Sequence, residues 1–207
     1  MNMNTLMNSY KYFLTIFINL SFISACTIGV TRDNNGNAIL WKNRDLSAYL
    51  DSSAIHYTDF LDPDSINYAY ITKSGGTAVW QGLNDKGFGI ANSIIQADSD
   101  INSRLIPEDE HELIEAALSS CDSLDDFYAL IETLVSTQDD DDHIQSNFAV
   151  IDNYGGAAIY EIDTSTPTVR VAIETLGDSI AIYRSNHFKL LDNPSEYEEL
   201  NLFNCFE

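Results

Sequence analysis

The sequence predicts an α+β domain, because a block of strands, a pair of helices and a second block of strands follow one another with no internal repeat. Three observations carry that reading. Short apolar runs bounded by turn residues fill positions 26–95, helical periodicity occupies 107–134, and short runs return from 147 to 186. Strands are expected at 26–32 and 38–44, joined by Asp33-Asn34-Asn35-Gly36-Asn37, whose residues suit a hairpin turn. Others are expected at 66–73, 77–82 and 87–95, the last two separated by Asn84-Asp85-Lys86-Gly87. Pro107 and the acids Glu108, Asp109 and Glu110 favour a helix start, since proline needs no amide partner there and carboxylates complement the helix dipole. Leu113, Ile114, Ala117 and Leu118 form that helix's apolar stripe. Ser123 caps a second helix carrying Leu124, Phe127, Leu130, Ile131 and Leu134. The closing strands are expected at 147–152, 157–163, 168–174 and 180–186, punctuated by Asn153-Tyr154-Gly155-Gly156, Pro167 and Gly177-Asp178.

Residues 1–25 read as a secretory signal peptide: an Asn-rich start whose single charge is Lys11, an apolar run from Tyr12 to Ile23, and small residues ending at Ala25. The run is short for a membrane span, which takes about 20 apolar residues. Residues 26–207 then form one domain, exported to a periplasmic or extracellular location. Without Lys11, 9 Lys and Arg stand against 32 Asp and Glu, a net charge of −23. Such a surface repels nucleic acid and anionic lipid.

Cys26, Cys121 and Cys205 are too few and too scattered for a disulfide framework, and an odd count leaves a thiol over. Cys121, between two helical stretches, reads as a small buried residue. His56, His111, His143 and His187 are isolated, with no paired-histidine or Cys-x-x-Cys spacing. Asp139 to Asp142 read as a solvated loop, and Asp98-Ser99-Asp100-Ile101-Asn102 lacks the glycine turn and closing glutamate of a calcium loop. No metal and no cofactor is expected.

Cys26 is the residue with chemical promise. Cleavage after Ala25 makes it the first residue, and an N-terminal cysteine holds a thiol nucleophile and a general base, its α-amino group, together. Cys26-Thr27 through Trp41-Lys42-Asn43-Arg44-Asp45, then Gly82-Leu83-Asn84-Asp85-Lys86-Gly87-Phe88-Gly89-Ile90-Ala91-Asn92-Ser93, then Tyr183-Arg184-Ser185-Asn186-His187-Phe188 resemble the choloylglycine hydrolase superfamily. That group of N-terminal-nucleophile hydrolases includes bile-salt hydrolases, penicillin V acylases, ceramidase-like amidases and penicillin-forming acyltransferases.

The resemblance implies a four-layered αββα fold and attack by Cys26 on the carbonyl of a linear amide, hence a small-molecule N-acyl amide substrate. The family's aspartate lies 19 positions after the cysteine and holds the α-amino group; here that position is Asp45. Where the family often has an arginine 16 positions after the cysteine, this chain has Lys42, with Arg44 close by. Either cation favours thiolate, although lysine lacks the fork of arginine. Asn186 matches the asparagine that donates to the oxyanion, and Asn92 is the candidate second donor. His187 reads as structural.

Two other readings stay open on the sequence. Ile23-Ser24-Ala25-Cys26 also satisfies a bacterial lipobox, in which Cys26 is acylated and anchors a non-catalytic lipoprotein to a membrane. The family also continues for a hundred or more residues beyond its asparagine motif, whereas Glu207 lies about 20 residues after it. On that count the chain is an incomplete member, lacking late strands and a late arginine, and an inactive remnant is the third reading.

Overall fold

The computed structural model describes residues 26–44, 53–59, 62, 64–95, 108–137, 144–164, 170–186 and 189–191. The leader, Asp45, the stretches 98–102 and 139–142, His143, His187 and Cys205 lie outside the described residues. The elements run β1 (Thr27–Arg32), β2 (Ala38–Asn43), β3 (Ser53–Tyr57), β4 (Tyr68–Lys73), β5 (Val79–Asn84) and β6 (Gly89–Ile94). Helices α1 (Glu108–Ser120) and α2 (Leu124–Thr137) follow, then β7 (Gln145–Ile151), β8 (Ala157–Asp163), β9 (Arg170–Thr175) and β10 (Ala181–Arg184).

The strands form two antiparallel sheets. The larger runs β3-β4-β5-β6-β7-β8-β9 in sequence order, and the smaller is ordered β10-β1-β2. Alternation along the large sheet sends side chains to two different cores. Phe88, Ile90, Phe148, Val150, Ala158, Tyr160 and Ile162 meet Leu113, Ile114, Ala117 and Leu118 of α1 and Phe127 and Ile131 of α2. Phe127 is the hub of that core, edge-on to Phe148 and Tyr160 and tilted against Phe88. Ala91, Ala149, Ala157 and Ile159 face the other way and pack against Ile28, Val30 and Ile182 of the small sheet. Small residues on that face let the two sheets approach closely.

These layers are helices, large sheet, small sheet. A fourth layer on the far side of the small sheet is not among the described residues; there Ile39 and Tyr183 are exposed. Gly29, in the middle of β1, lets the Trp41 indole lie across the strand: a Cβ at position 29 would stand 2.4 Å from Trp41 Cζ2 and 2.8 Å from the Ile182 carbonyl oxygen.

The turns carry the expected chemistry. Asp33 closes the β1–β2 turn by accepting from the amides of Asn35 and Asn37, with Gly36 at φ 86°. Asn84 ties the β5–β6 turn to the helix layer: its Oδ1 accepts from Lys86 and Phe88, and its Nδ2 donates to the carbonyls of Leu118 and Cys121. Satisfying the last carbonyls of α1 in this way fixes where the helix ends.

The expected elements are all present, the strand ends agreeing to within two residues. One strand was not expected. In β3 the apolar Ile55 and Tyr57 are exposed while Ala54 and His56 face the covered side, so its hydrophobic pattern runs opposite to its burial. His56 instead stacks on Tyr70 and hydrogen-bonds Thr72. Among the described residues no helix is long and apolar enough to cross a membrane.

Candidate active site

Cys26 lies immediately before β1, half-buried and unpaired. Because β1 is the central strand of the small sheet, neighbours reach it from both sides. Thr27 is paired with Asn43, so one step on Cys26 faces Arg44 of the β2 end. Ile28 is paired with Arg184, so the same register carried two steps past the ladder sets Asn186, beyond β10, level with Cys26. The large sheet supplies the floor: Ser93, in phase with Ala91 on the inter-sheet face of β6, donates its hydroxyl to the Cys26 carbonyl at 3.1 Å.

Lys42 is paired with Ile28, whose side chain is in the inter-sheet core, so strand alternation turns the lysine into the same space. Its ammonium donates to the backbone oxygen of Asn92 and, at 3.2 Å, to Asn92 Oδ1. Burial pushes the Lys42 ammonium down to about 8; the negative charge of a Cys26 thiolate opposes that fall, and Arg44 adds to it. The Arg44 guanidinium stacks over the Trp80 ring. The Asn92 Nδ2 is buried without a partner.

On the far side of Cys26 the backbone before Asn186 is fixed from below. Asn147, paired with Ser93 across the β6–β7 ladder, donates Nδ2 to the Ser185 carbonyl at 2.8 Å. Ser93 and Asn147 are thus adjacent posts on one sheet face, one under the nucleophile and one under the Asn186 segment. The Asn186 Oδ1 is buried without a partner.

His111, from the first turn of α1, belongs to the same electrostatic cluster. Its Nδ1 is 2.7 Å from the Val79 carbonyl, and its Nε2 is buried without a partner. Burial holds the imidazole below its usual range, the Val79 hydrogen bond resists, and Lys42 and Arg44 lower it further. A neutral ring that donates from Nδ1 leaves Nε2 as an acceptor near two cations.

Of the six expected site residues, Lys42 contacts Asn92 and shares the electrostatics of Cys26 and Arg44, Asn186 is set level with Cys26 by strand register alone, and Asp45 lies outside the described residues. Ser93 and Asn147 were not singled out from the sequence, and His111 reads there only as an isolated histidine. Alternation carried the signal for Ser93, since it and not Asn92 is in phase with Ala91. Cys121 is buried in the helix-side core, and burial raises its thiol to about 11. Among the described residues no three His, Cys, Asp or Glu side chains are grouped to hold a metal ion.

The lowered lysine yields a test of the site's electrostatics. The folded chain releases the Lys42 proton near pH 8 and the unfolded chain near 10.5, so between these values the unfolded state binds more protons and stability rises with pH. Below pH 8 the cost of the buried ammonium is present in full. Denaturant unfolding of the wild type and Lys42→Met at pH 8, 9 and 10 should show the wild type gaining on the variant as pH rises. A flat or falling difference would mean that the ammonium is solvated in the native state.

No family model matches the chain, and no curated protein matches its sequence. In fold, the chain is similar to an N-acylethanolamine-hydrolyzing acid amidase ortholog of Caenorhabditis elegans, with a TM-score of 0.52 and 14% identity, over 82% of this chain and 73% of that one. At that identity the likeness is one of fold alone: the chain shares the fold of that amidase and is not tied to the choloylglycine hydrolases in particular.

Proposed function

We propose that this chain is an exported hydrolase of linear amide C–N bonds, with Cys26, freed by removal of residues 1–25, as its N-terminal nucleophile. What supports the reading is the place of Cys26 at the end of a central strand, above Ser93 and near a half-buried Lys42, with Arg44 and Asn186 on the neighbouring strand ends by register.

In the proposed course the α-amino group takes the thiol proton and the sulfur adds to the acyl carbonyl carbon. The carbonyl oxygen becomes an oxyanion, met by the Asn186 amide and by the Asn92 Nδ2. The ammonium returns its proton to the amide nitrogen, the C–N bond breaks, and an amine leaves an acyl-thioester on Cys26. Water then adds to the thioester, giving a carboxylic acid and free thiol; an acceptor amine in place of water makes the same site an acyltransferase. Asp45 orients the α-amino group, while Asn92 holds Lys42 beside the sulfur. Donors fixed in advance at the point where charge develops cost no reorganisation during the reaction.

The test combines mass with chemistry. The mature chain should begin at Cys26 with a free amine, take one equivalent of iodoacetamide at Cys26 near neutral pH, and leave Cys121 unlabelled until unfolded. It should release amine from a panel of N-acyl substrates that includes an N-acylethanolamine, the substrate named for the similar structure. A diacylglyceryl mass on Cys26 would replace this reading with the lipid-anchored one. Cys26 labelling without amine release would mark a preserved nucleophile without a working pocket.

A further inference from the structure

Glu161 is a fully buried carboxylate in β8, in phase with Ala157 and Ile159 on the inter-sheet face. Its Oε1 pairs with the buried Arg184 at 2.5 Å from Nε. Both of its oxygens also accept from the backbone amides of Lys189 and Leu190, at 2.9–3.1 Å, and Oε2 accepts from Leu191 at 3.0 Å. Arg184 is tied in turn to Glu174 and to the Tyr183 carbonyl. One carboxylate therefore holds the chain immediately before Ser185-Asn186, through Arg184, and again at Lys189, Leu190 and Leu191.

Stability alone is a poor reason to bury this pair. Desolvating two charges costs about as much as their attraction returns, and packed apolar side chains of the same volume do as well or better. What a carboxylate shared by a guanidinium and three successive amides does supply is a fixed backbone path, because every acceptor direction is assigned. Within that stretch lies Asn186, which the β1–β10 register, carried two steps past Ile28 and Arg184, sets level with Cys26.

We propose that Glu161 is the positioning residue for Asn186: it holds the backbone at Arg184 and again at 189–191, on either side of the asparagine offered to the nucleophile. The proposal rests on the hydrolase reading for its catalytic consequence, but not for its structural one. Glu161→Gln keeps the shape while removing the charge and one acceptor. It should lower kcat by about 10²-fold, the order of loss that a misplacement near 1 Å produces, with KM close to wild type. Iodoacetamide should still label Cys26 at the wild-type rate.

Two measurements separate positioning from general stability. In combination with Asn186→Ala, Glu161→Gln should add little further loss, since the two act through one group; a full additional loss would overturn the proposal. The second does not need turnover: hydrogen exchange at the amides of 189–191 should quicken in Glu161→Gln while the β7–β8 amides keep their protection, and the Asn186 side-chain amide resonance should shift. Unchanged exchange and an unmoved resonance would also overturn it. If the wild type releases no amine yet these two signatures appear, the hydrolase reading fails and the clamp stands. Should Glu161→Gln not fold, Arg184→Lys loosens the upstream grip alone, and a smaller loss of kcat with exchange quickened at the turn is expected; wild-type values in both would count against the clamp.

Discussion

Cys26→Ala is expected to abolish amide release, a loss on the order of 10⁶-fold, the scale on which removing a covalent nucleophile acts. The fold should survive. Cys26 is half-buried at the mouth of β1, and its contact with the large sheet is made through its backbone carbonyl to Ser93, which alanine retains. Cys121 cannot take over the role, being buried among the helices with a thiol raised to about 11. Circular dichroism and denaturant unfolding like those of the wild type, together with loss of both turnover and neutral-pH alkylation, would place the nucleophile at Cys26. Turnover that persists in a chain free of contaminating activity would move the chemistry to another residue.

Asn186→Ala should lower kcat by about 10²- to 10³-fold, as removal of an oxyanion donor does elsewhere, with little change in KM. The asymmetry follows from when the interaction is made. The amide meets full negative charge only in the tetrahedral intermediate, so its loss raises the barrier more than it weakens the bound substrate. Alkylation of Cys26 should continue at the wild-type rate, because the asparagine amide acts on the oxyanion and not on the sulfur. A rise in KM with kcat unchanged would instead make Asn186 a ground-state contact, and slowed alkylation would show that it orders Cys26 itself.

Much of this arrangement is legible in the order of residues. Hairpin turns announce themselves at Asp33 to Asn37 and Asn84 to Gly87, since few residues accept those backbone angles. The helices are legible because their apolar stripes repeat over more than two turns each. The strand at 53–57 is not, because Ile55 and Tyr57 point outward. For the proposed site, motif likeness is what points to Cys26, Lys42, Arg44, Asn92 and Asn186. Ser93, Asn147 and His111 require knowing which strands are neighbours: β6 meets β7 only across the intervening helices, and α1 comes to Lys42 and Arg44 through tertiary packing. Glu161 is the least legible, since a glutamate within an alternating strand reads as solvent-facing until the small sheet covers it.

The pairing of β1 with β10 also sets an order in time. Thr31 donates to the Ile180 carbonyl across 149 residues of sequence. Closing so long a loop comes late, after the local hairpins have formed, because its entropy must be met before its hydrogen bonds return anything. A chain emerging from synthesis can therefore build the β1–β2 hairpin and bring Arg44 to Cys26 early, while Asn186 has yet to be made. The thiol has its cations from the start but no oxyanion partner until nearly every strand is in place. Acylation competence thereby becomes a clock for assembly: during refolding, Cys26 alkylation should appear before amide release, and the interval between them measures the docking of the last strand.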